Sequence, residues 1–168
     1  MAAAFPTIDR RGDQLDVRFV RHYPRPVETV WAALTDPARL ADWMGAANVE
    51  PFVGGRFDLM TESIHGSTGT VRVWDPPRAL EFSWSNTHST DAIIRYELTP
   101  EGDGTRLVLL HSGMPYLTSA LMLPGWHDFL DRLHIMVTGG TLRREMDFRR
   151  MQSTYIDHFK LEGVQLDP

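Results

Sequence analysis

Residues 24–45 read P-R-P-V-E-T-V-W-A-A-L-T-D-P-A-R-L-A-D-W-M-G, and G-G-R-F follows at 54–57. Apolar residues three and four positions apart at 27–34 predict a helix with one buried face. Asp36 and the proline after it predict a second helix, because a carboxylate caps a helix start and proline suits its first turn. Gly45 ends that helix. The stretch therefore predicts two short helices that lead into a sheet.

Alternating apolar residues indicate strands on both sides of this stretch. Before it, Leu15, Val17 and Phe19 alternate with mostly polar neighbours, which predicts a first strand. After it, from 47 to 111, short alternating segments are separated by turns rich in glycine, proline and aspartate. This pattern is typical of an antiparallel meander with one face available to a covering helix.

A covering helix is predicted over 126–137, where apolar residues recur at i, i+4, i+7 and i+11. A Gly-Gly pair at 139–140 ends it, and a last helix over about 141–161 carries Phe148, Met151, Tyr155 and Phe159 on one side. The expected organisation is a flexible N-terminal tail at 1–12, a domain at 13–140, and an additional C-terminal helix within 141–168. That helix would pack on the domain or on a second subunit, giving a homodimer.

Composition excludes several classes of function. The chain has 168 residues, no cysteine and a net charge of −5. Disulfides and thiol catalysis are therefore excluded, and nucleic acid is not expected as a partner. The N-terminus does not read as a signal peptide, and no apolar run approaches the roughly 20 residues that span a bilayer. We expect a cytoplasmic protein without membrane insertion.

Further motifs extend along most of the chain. They are V-E-T-V-W-A-A-L-T-D-P at 27–37, L-A-D-W at 40–43, G-G-R-F at 54–57, G-T-V-R-V-W-D-P-P-R-A-L at 69–80, F-S-W at 82–84, G-T-R-L-V-L-L-H at 104–111 and G-W-H-D-F-L-D-R-L at 125–133. Together they resemble the START-like (SRPBCC) superfamily, in its activator of Hsp90 ATPase homologue 1-like family, as a single-domain bacterial member. The resemblance implies an α+β helix-grip fold. In that fold a curved antiparallel sheet of about seven strands surrounds a long C-terminal helix and a cavity, with two short helices after the first strand.

The resemblance also carries expectations about function. Members of the superfamily bind lipids, sterols, polyketides or plant hormones, and some are cyclases or aromatases. It therefore implies a small hydrophobic ligand and gives no reason to expect a cofactor. The Hsp90 activators carry a separate N-terminal domain that anchors them to the chaperone. This chain has no room for one, so Hsp90 is not expected as a partner.

The inner faces of the predicted elements supply the candidate ligand-cavity residues. They are Trp43, Phe57, Leu59, Val71, Val73, Phe82, Trp84, Ile94, Tyr96, Leu109, His111, Trp126, Leu130 and Leu133. A mainly apolar lining with few polar anchors is typical of a ligand pocket. The same residues would also serve as ordinary core packing, and in this fold both interpretations can hold.

His111 and Tyr96 are the polar candidates within that set. His111 faces the same way as Leu109, and a buried imidazole can hydrogen-bond a ligand, act as a general base or be purely structural. A buried phenol such as Tyr96 also needs a partner. No second catalytic group is identifiable beside His111, so no catalytic residue is assigned. His127 and Asp131 share a helix face, but two ligands are too few for a metal, and both are expected on the solvent side.

Three functions remain open, in decreasing order of support. The first is binding of a small hydrophobic or amphipathic ligand in the cavity, without an evident catalytic centre. The second is a cyclase- or aromatase-type enzyme that uses His111 and Tyr96 for proton transfer. The third is a chaperone-associated interaction protein that uses the last helix as its contact surface.

Overall fold

The computed structural model describes residues 4–60, 66–141 and 147–164. Its strands are β1 (Thr7–Arg11), β2 (Gln14–Tyr23), β3 (Ala46–Val49), β4 (Phe57–Met60), β5 (Val71–Asp75), β6 (Ala79–Trp84), β7 (Ala92–Glu101) and β8 (Gly104–Pro115). Its helices are α1 (Val27–Thr35), α2 (Pro37–Trp43), α3 (Ser119–Val137) and α4 (Phe148–Phe159), and a short 3-10 turn, Tyr116–Thr118, precedes α3. No helix in the described ranges is long and apolar enough to cross a membrane.

The strands form a large antiparallel sheet and a hairpin. Six of them pair in the order β1-β2-β8-β7-β6-β5, while β3 pairs with β4. Single bridges from Arg56 to Thr70 and from Leu59 to Ser67 join the hairpin to the chain before β5. α3 packs on the sheet, where the Tyr23 hydroxyl of β2 donates to the Leu130 carbonyl at 3.2 Å. The α+β helix-grip fold predicted from the sequence is confirmed.

β1 corrects the prediction of a flexible tail. Residues 7–11 pair with β2 in regular register, with Ile8 opposite Val17. Gly12 has a φ of +64° and makes the turn between the two strands. All of β1 except Ile8 is exposed, because β1 is the edge of the sheet. A polar edge strand lacks the alternation by which buried strands are recognised, which is why the sequence does not reveal it.

Residues 24–45 fold into two short helices, as predicted. Asp36 accepts a hydrogen bond from the Ala38 N–H at 3.0 Å and caps α2, whose first residue is Pro37. Trp43, at the end of α2, donates from its indole to the Ala33 carbonyl of α1 at 2.9 Å. The two short helices are thereby fixed against each other, and the Trp43 ring is directed into the core, where it is 1% exposed.

α3 begins earlier than the sequence predicts and ends where it predicts. The apolar periodicity does not reveal its start at Ser119, because Pro124, a residue that usually ends a helix, lies inside it. Its end coincides with Gly139, which has a φ of +78°. The Arg25 Nε donates to the Val137 carbonyl at 2.7 Å, so a cation meets the negative end of the helix dipole. This contact ties α3 to the chain between β2 and α1.

α4 packs on α3 within the same chain. It spans 148–159 instead of the predicted 141–161, and residues 142–146 lie outside the described part of the chain. Asp147 caps its start by accepting from the Arg150 N–H at 3.0 Å. Tyr155 is fully buried, and its ring meets that of Phe5 edge-on at 5.0 Å between centroids. α4 therefore covers α3 together with the chain just before β1.

A β-bulge corrects the predicted position of Val73. The register between β5 and β6 shifts between Val71 and Val73. As a result Val73 lies opposite Glu81, and Trp74 lies opposite the buried Leu80. Val73 is only half-buried, while Trp74 packs edge-on against Trp31 of α1 at 5.3 Å. A single extra residue reverses the faces beyond it, so strict alternation assigns Val73 to the wrong side.

Candidate ligand-binding interior

The interior between the sheet and α3 is lined by aromatic and aliphatic side chains. Every predicted lining residue except Val73 is at most 3% exposed. Phe57 and Phe82 stack at 3.9 Å between ring centroids with planes 13° apart. Trp84, at the end of β6, lies 5.5 Å from Trp126 of α3. The hairpin, the sheet and α3 therefore all contribute rings to one apolar region.

His111 lies at the centre of this region. It is fully buried on β8, between Val17 of β2 and Ile94 of β7. Its Nδ1 accepts a hydrogen bond from the Trp126 indole N–H at 2.9 Å. Burial lowers the pKa of His111 to about 3, so the imidazole is neutral at physiological pH. The hydrogen bond joins the middle of the sheet to the covering helix.

Two polar atoms in this region have no hydrogen-bond partner among the described residues. They are the Nε2 of His111 and the Nε1 of Trp84. The two rings lie 6.5 Å apart between centroids. A buried polar group without a partner costs free energy, and most native structures avoid it. Here two of them occur together inside an otherwise apolar region.

Two tyrosines, Tyr23 and Tyr96, are buried in this interior. Tyr23 donates to the Leu130 carbonyl. Tyr96 is 2% exposed, and its ring lies 6.3 Å from that of Phe82 between centroids. Burial raises the pKa of Tyr96, so its phenol stays protonated. On the inner face Tyr96 pairs with Leu109, one inward position from His111. The structure thus brings both predicted polar candidates to the same part of the sheet.

The family is settled by a family model that matches residues 24–138 and is described as activator of Hsp90 ATPase homolog 1-like protein. The chain belongs to this family. It is a member of the START-like (SRPBCC) superfamily, whose fold is a ligand-binding fold. No curated protein matches the chain.

Solved structures place this family member among bacterial proteins of the same fold. CalU16 from Micromonospora echinospora is 25% identical, with a TM-score of 0.74 over 92% of this chain and 94% of that one. EF2215 from Enterococcus faecalis, described as a conserved protein of unknown function, is 21% identical, with a TM-score of 0.78 over 94% and 92%. DynU16, described as a putative protein in the dynemicin biosynthetic locus, is 28% identical, with a TM-score of 0.68 over 77% and 49%.

The position of His127 in this Hsp90-activator-like chain corrects a further prediction. The sequence places it on the solvent side of α3, but it is only 6% exposed. Its Nδ1 lies 2.7 Å from the Tyr155 hydroxyl of α4, and its Nε2 lies 3.6 Å from a carboxylate oxygen of Asp131. No cluster of three or more His, Cys, Asp or Glu side chains in the described ranges could hold a metal ion. The burial is caused by α4, whose position the sequence alone does not give.

A groove on the surface of this family member lies away from the interior. It has a volume of about 330 Å³ and is lined by His22, Tyr23, Pro24, Glu101, Asp103, Gly104 and Thr105. These residues surround the β7–β8 turn, whereas His111 lies seven positions further along β8. The sequence also predicts a loop that contains Glu62, Ser63 and His65, and these three residues lie outside the described part of the chain.

The sequence could not identify the partner of His111. Trp126 and His111 are both on inner faces by periodicity, but periodicity does not say which inward side chains of a helix and a sheet meet. The signal that remains is chemical: a tryptophan and a histidine each need a hydrogen-bond partner when buried, and few other polar groups are predicted to face inward.

Proposed function

We propose that this chain binds a small hydrophobic or amphipathic ligand in the interior between the sheet and α3, without turnover. The observation that carries the proposal is the pair of unpartnered polar atoms, His111 Nε2 and Trp84 Nε1, within an aromatic lining. A ligand that reaches them would satisfy atoms that the protein leaves unpaired. Apolar walls with a few placed polar groups are the usual composition of small-molecule sites.

The family relationship supports the same proposal. The superfamily fold is a ligand-binding fold, and DynU16, one of the structural neighbours, is described as a putative protein in a biosynthetic locus. A role in holding an organic molecule fits both facts.

The chemistry of His111 supports binding over proton abstraction. A general base needs a lone pair directed at the substrate. The Nδ1 lone pair of His111 is occupied by the Trp126 N–H. In the neutral ring the other nitrogen carries the proton and has no lone pair to offer. The proposal therefore gives His111 the role of a hydrogen-bond donor to the ligand.

Native mass spectrometry of the protein purified from its own host, followed by denaturing extraction, tests the proposal. We expect a co-purifying small molecule that is released on denaturation. Two matched variants locate it, because Ile94→Phe enlarges an inner-face residue beside His111 and Val73→Phe enlarges a half-buried residue on the other face.

The expected pattern is loss of the molecule in Ile94→Phe and its retention in Val73→Phe, with thermal unfolding showing that both variants fold. Uptake of an apolar fluorescent probe provides a second measurement of the same variants. If the wild-type protein carries no molecule and takes up no probe at micromolar concentration, the proposal fails.

A further inference from the structure

We infer that the interior takes a neutral ligand through a carbonyl-type oxygen that accepts hydrogen bonds from His111 Nε2 and Trp84 Nε1. The inference rests on the proposed ligand-binding function and adds the chemistry of the contact. It concerns only the polar end of the ligand, since the aromatic lining around these two atoms accepts apolar groups of many shapes.

The first step is the protonation state of His111. An indole N–H can only donate a hydrogen bond. Because the Trp126 N–H donates to His111 Nδ1 at 2.9 Å, Nδ1 carries a lone pair and no proton. The contact excludes the doubly protonated ring and places the proton of the neutral ring on Nε2. Nε2–H is therefore a donor, on the opposite side of the ring from Trp126.

The second step is that the other unpartnered atom is also a donor. Trp84 Nε1 carries a proton and has no lone pair to offer in the plane of its ring. Both donors lack partners among the described residues. Their rings are 6.5 Å apart between centroids and inclined by 58°. A ligand that reaches both N–H groups must present acceptors to them.

The third step is the charge and type of the acceptor. None of the predicted lining residues carries a charge, so a carboxylate or phosphate would be buried without a counter-ion at high cost. A hydroxyl oxygen also accepts, but its own proton needs an acceptor, which among the predicted lining side chains only the Tyr96 hydroxyl offers. A carbonyl oxygen has two lone pairs and no proton, so it matches two N–H donors. A ketone, quinone, ester or lactone satisfies this requirement.

Matched pairs of probes test the inference directly. Fluorenone and fluorene differ only in a carbonyl in place of a methylene, and 7-tridecanone and tridecane repeat the comparison with a flexible shape. We expect each ketone to bind about tenfold more tightly than its hydrocarbon, as one net hydrogen bond allows. The infrared carbonyl band should move to lower wavenumber on binding.

Variants and nuclear magnetic resonance identify the donors. Trp84→Phe removes one N–H and keeps an aromatic ring, so it should reduce the preference for the ketone while hydrocarbon binding remains. Trp74→Phe is the matched control, because Trp74 is only partly buried, packs on Trp31 of α1 and is not among the predicted lining residues. Nitrogen-15 shifts of His111 in the ligand-free protein should show a protonated Nε2 and an unprotonated Nδ1.

The outcomes separate this inference from the function on which it rests. Equal affinity for ketone and hydrocarbon would overturn the carbonyl contact and leave ligand binding in place. The opposite tautomer of His111, or an unchanged ketone preference in Trp84→Phe, would overturn it as well. Failure of both probe pairs to bind would overturn the proposed function together with the inference.

Discussion

His111 and His127 are both buried and both meet an aromatic side chain, yet their second ring nitrogens differ. Nδ1 of His111 accepts from Trp126, and its Nε2 has no partner in the described part of the chain. Nδ1 of His127 meets the Tyr155 hydroxyl, and its Nε2 approaches Asp131 at the surface. We refer to these two regions as the interior site and the α4 contact. The first surrounds His111, and the second surrounds His127 and Tyr155.

Comparing the two regions distinguishes a structural histidine from one that is available to a ligand. In the α4 contact both ring nitrogens of His127 face polar groups, so the side chain is accounted for as a structural link between α3 and α4. In the interior site one nitrogen is satisfied and the other is not, although burial is complete. Unsatisfied capacity for hydrogen bonding, and not burial, marks the site that can bind something else.

The largest expected effect tests the α4 contact. Tyr155→Ala removes a fully buried ring that packs on Phe5 and reaches His127. We expect the free energy of unfolding to fall by about 3–5 kcal/mol, as for other large-to-small core substitutions. Urea denaturation measures it, with Thr154→Ala on the exposed side of α4 as the control. Equal stability of Tyr155→Ala and the wild type would show that α4 does not hold to the domain through this residue.

A pH effect tests the interior site. Burial lowers the pKa of His111 to about 3, against about 6.5 in an unfolded chain. Between these values the unfolded chain binds more protons, so stability falls as the pH falls from about 6.5 towards 3. The contribution of His111 at pH 5 is a loss of about 2 kcal/mol. Denaturation at pH 7 and pH 5 should show a smaller loss in His111→Gln than in the wild type.

Two controls make this pH experiment specific. His134→Gln replaces an exposed histidine of α3 and serves as the control for removal of an imidazole that is not buried. The pKa of His127 is lowered by burial and by Arg21 and is raised by Asp131 and Asp128, so His127 contributes with the same sign. If His127→Gln reduces the loss of stability between pH 7 and pH 5 more than His111→Gln does, the α4 contact and not the interior site dominates the pH dependence.

The interior site and the α4 contact also differ in how far the sequence predicts them. Alternation in β6, β7 and β8 places Trp84, Tyr96 and His111 on one face because those strands contain no shift where they pair. The bulge in β5 breaks the same argument at Val73. The edge strand β1 is missed because it has no buried face. Alternation along the sequence is thus sufficient to assign the inner face of a strand where that strand is regular and lies in the middle of the sheet.

The α4 contact could not be predicted because it depends on the packing of two helices. Periodicity places His127 away from the main apolar stripe of α3, which is correct for the side of α3 that faces the sheet. It cannot show that α4 and Phe5 cover the remaining side. His127 lies off the apolar stripe of α3 and is buried by α4. The position of α4 follows from tertiary packing and not from the spacing of apolar residues in the sequence.

Because Trp126 and His111 are joined by a hydrogen bond, we expect their effects on the free energy of unfolding to be coupled by about 1 kcal/mol. Trp126→Phe leaves His111 Nδ1 buried without a donor, so it should destabilise the protein more in the wild-type background than in a His111→Phe background. Urea denaturation of the wild type, both single variants and the double variant gives the coupling. Additive effects within about 0.3 kcal/mol would show that the contact does not stabilise the fold.

The smallest expected effect concerns the outer side of the α4 contact. Asp131 is about half exposed, and its carboxylate lies 3.6 Å from His127 Nε2. Exposed pairs of this kind contribute little, so Asp131→Asn should cost at most about 0.5 kcal/mol. Burial lowers the pKa of His127 and Asp131 opposes that shift, so the substitution should lower the pKa further. A nuclear magnetic resonance titration of the His127 ring measures the direction. A higher pKa, or a loss of stability as large as that of Tyr155→Ala, would mean that Asp131 and not Tyr155 holds His127 in place.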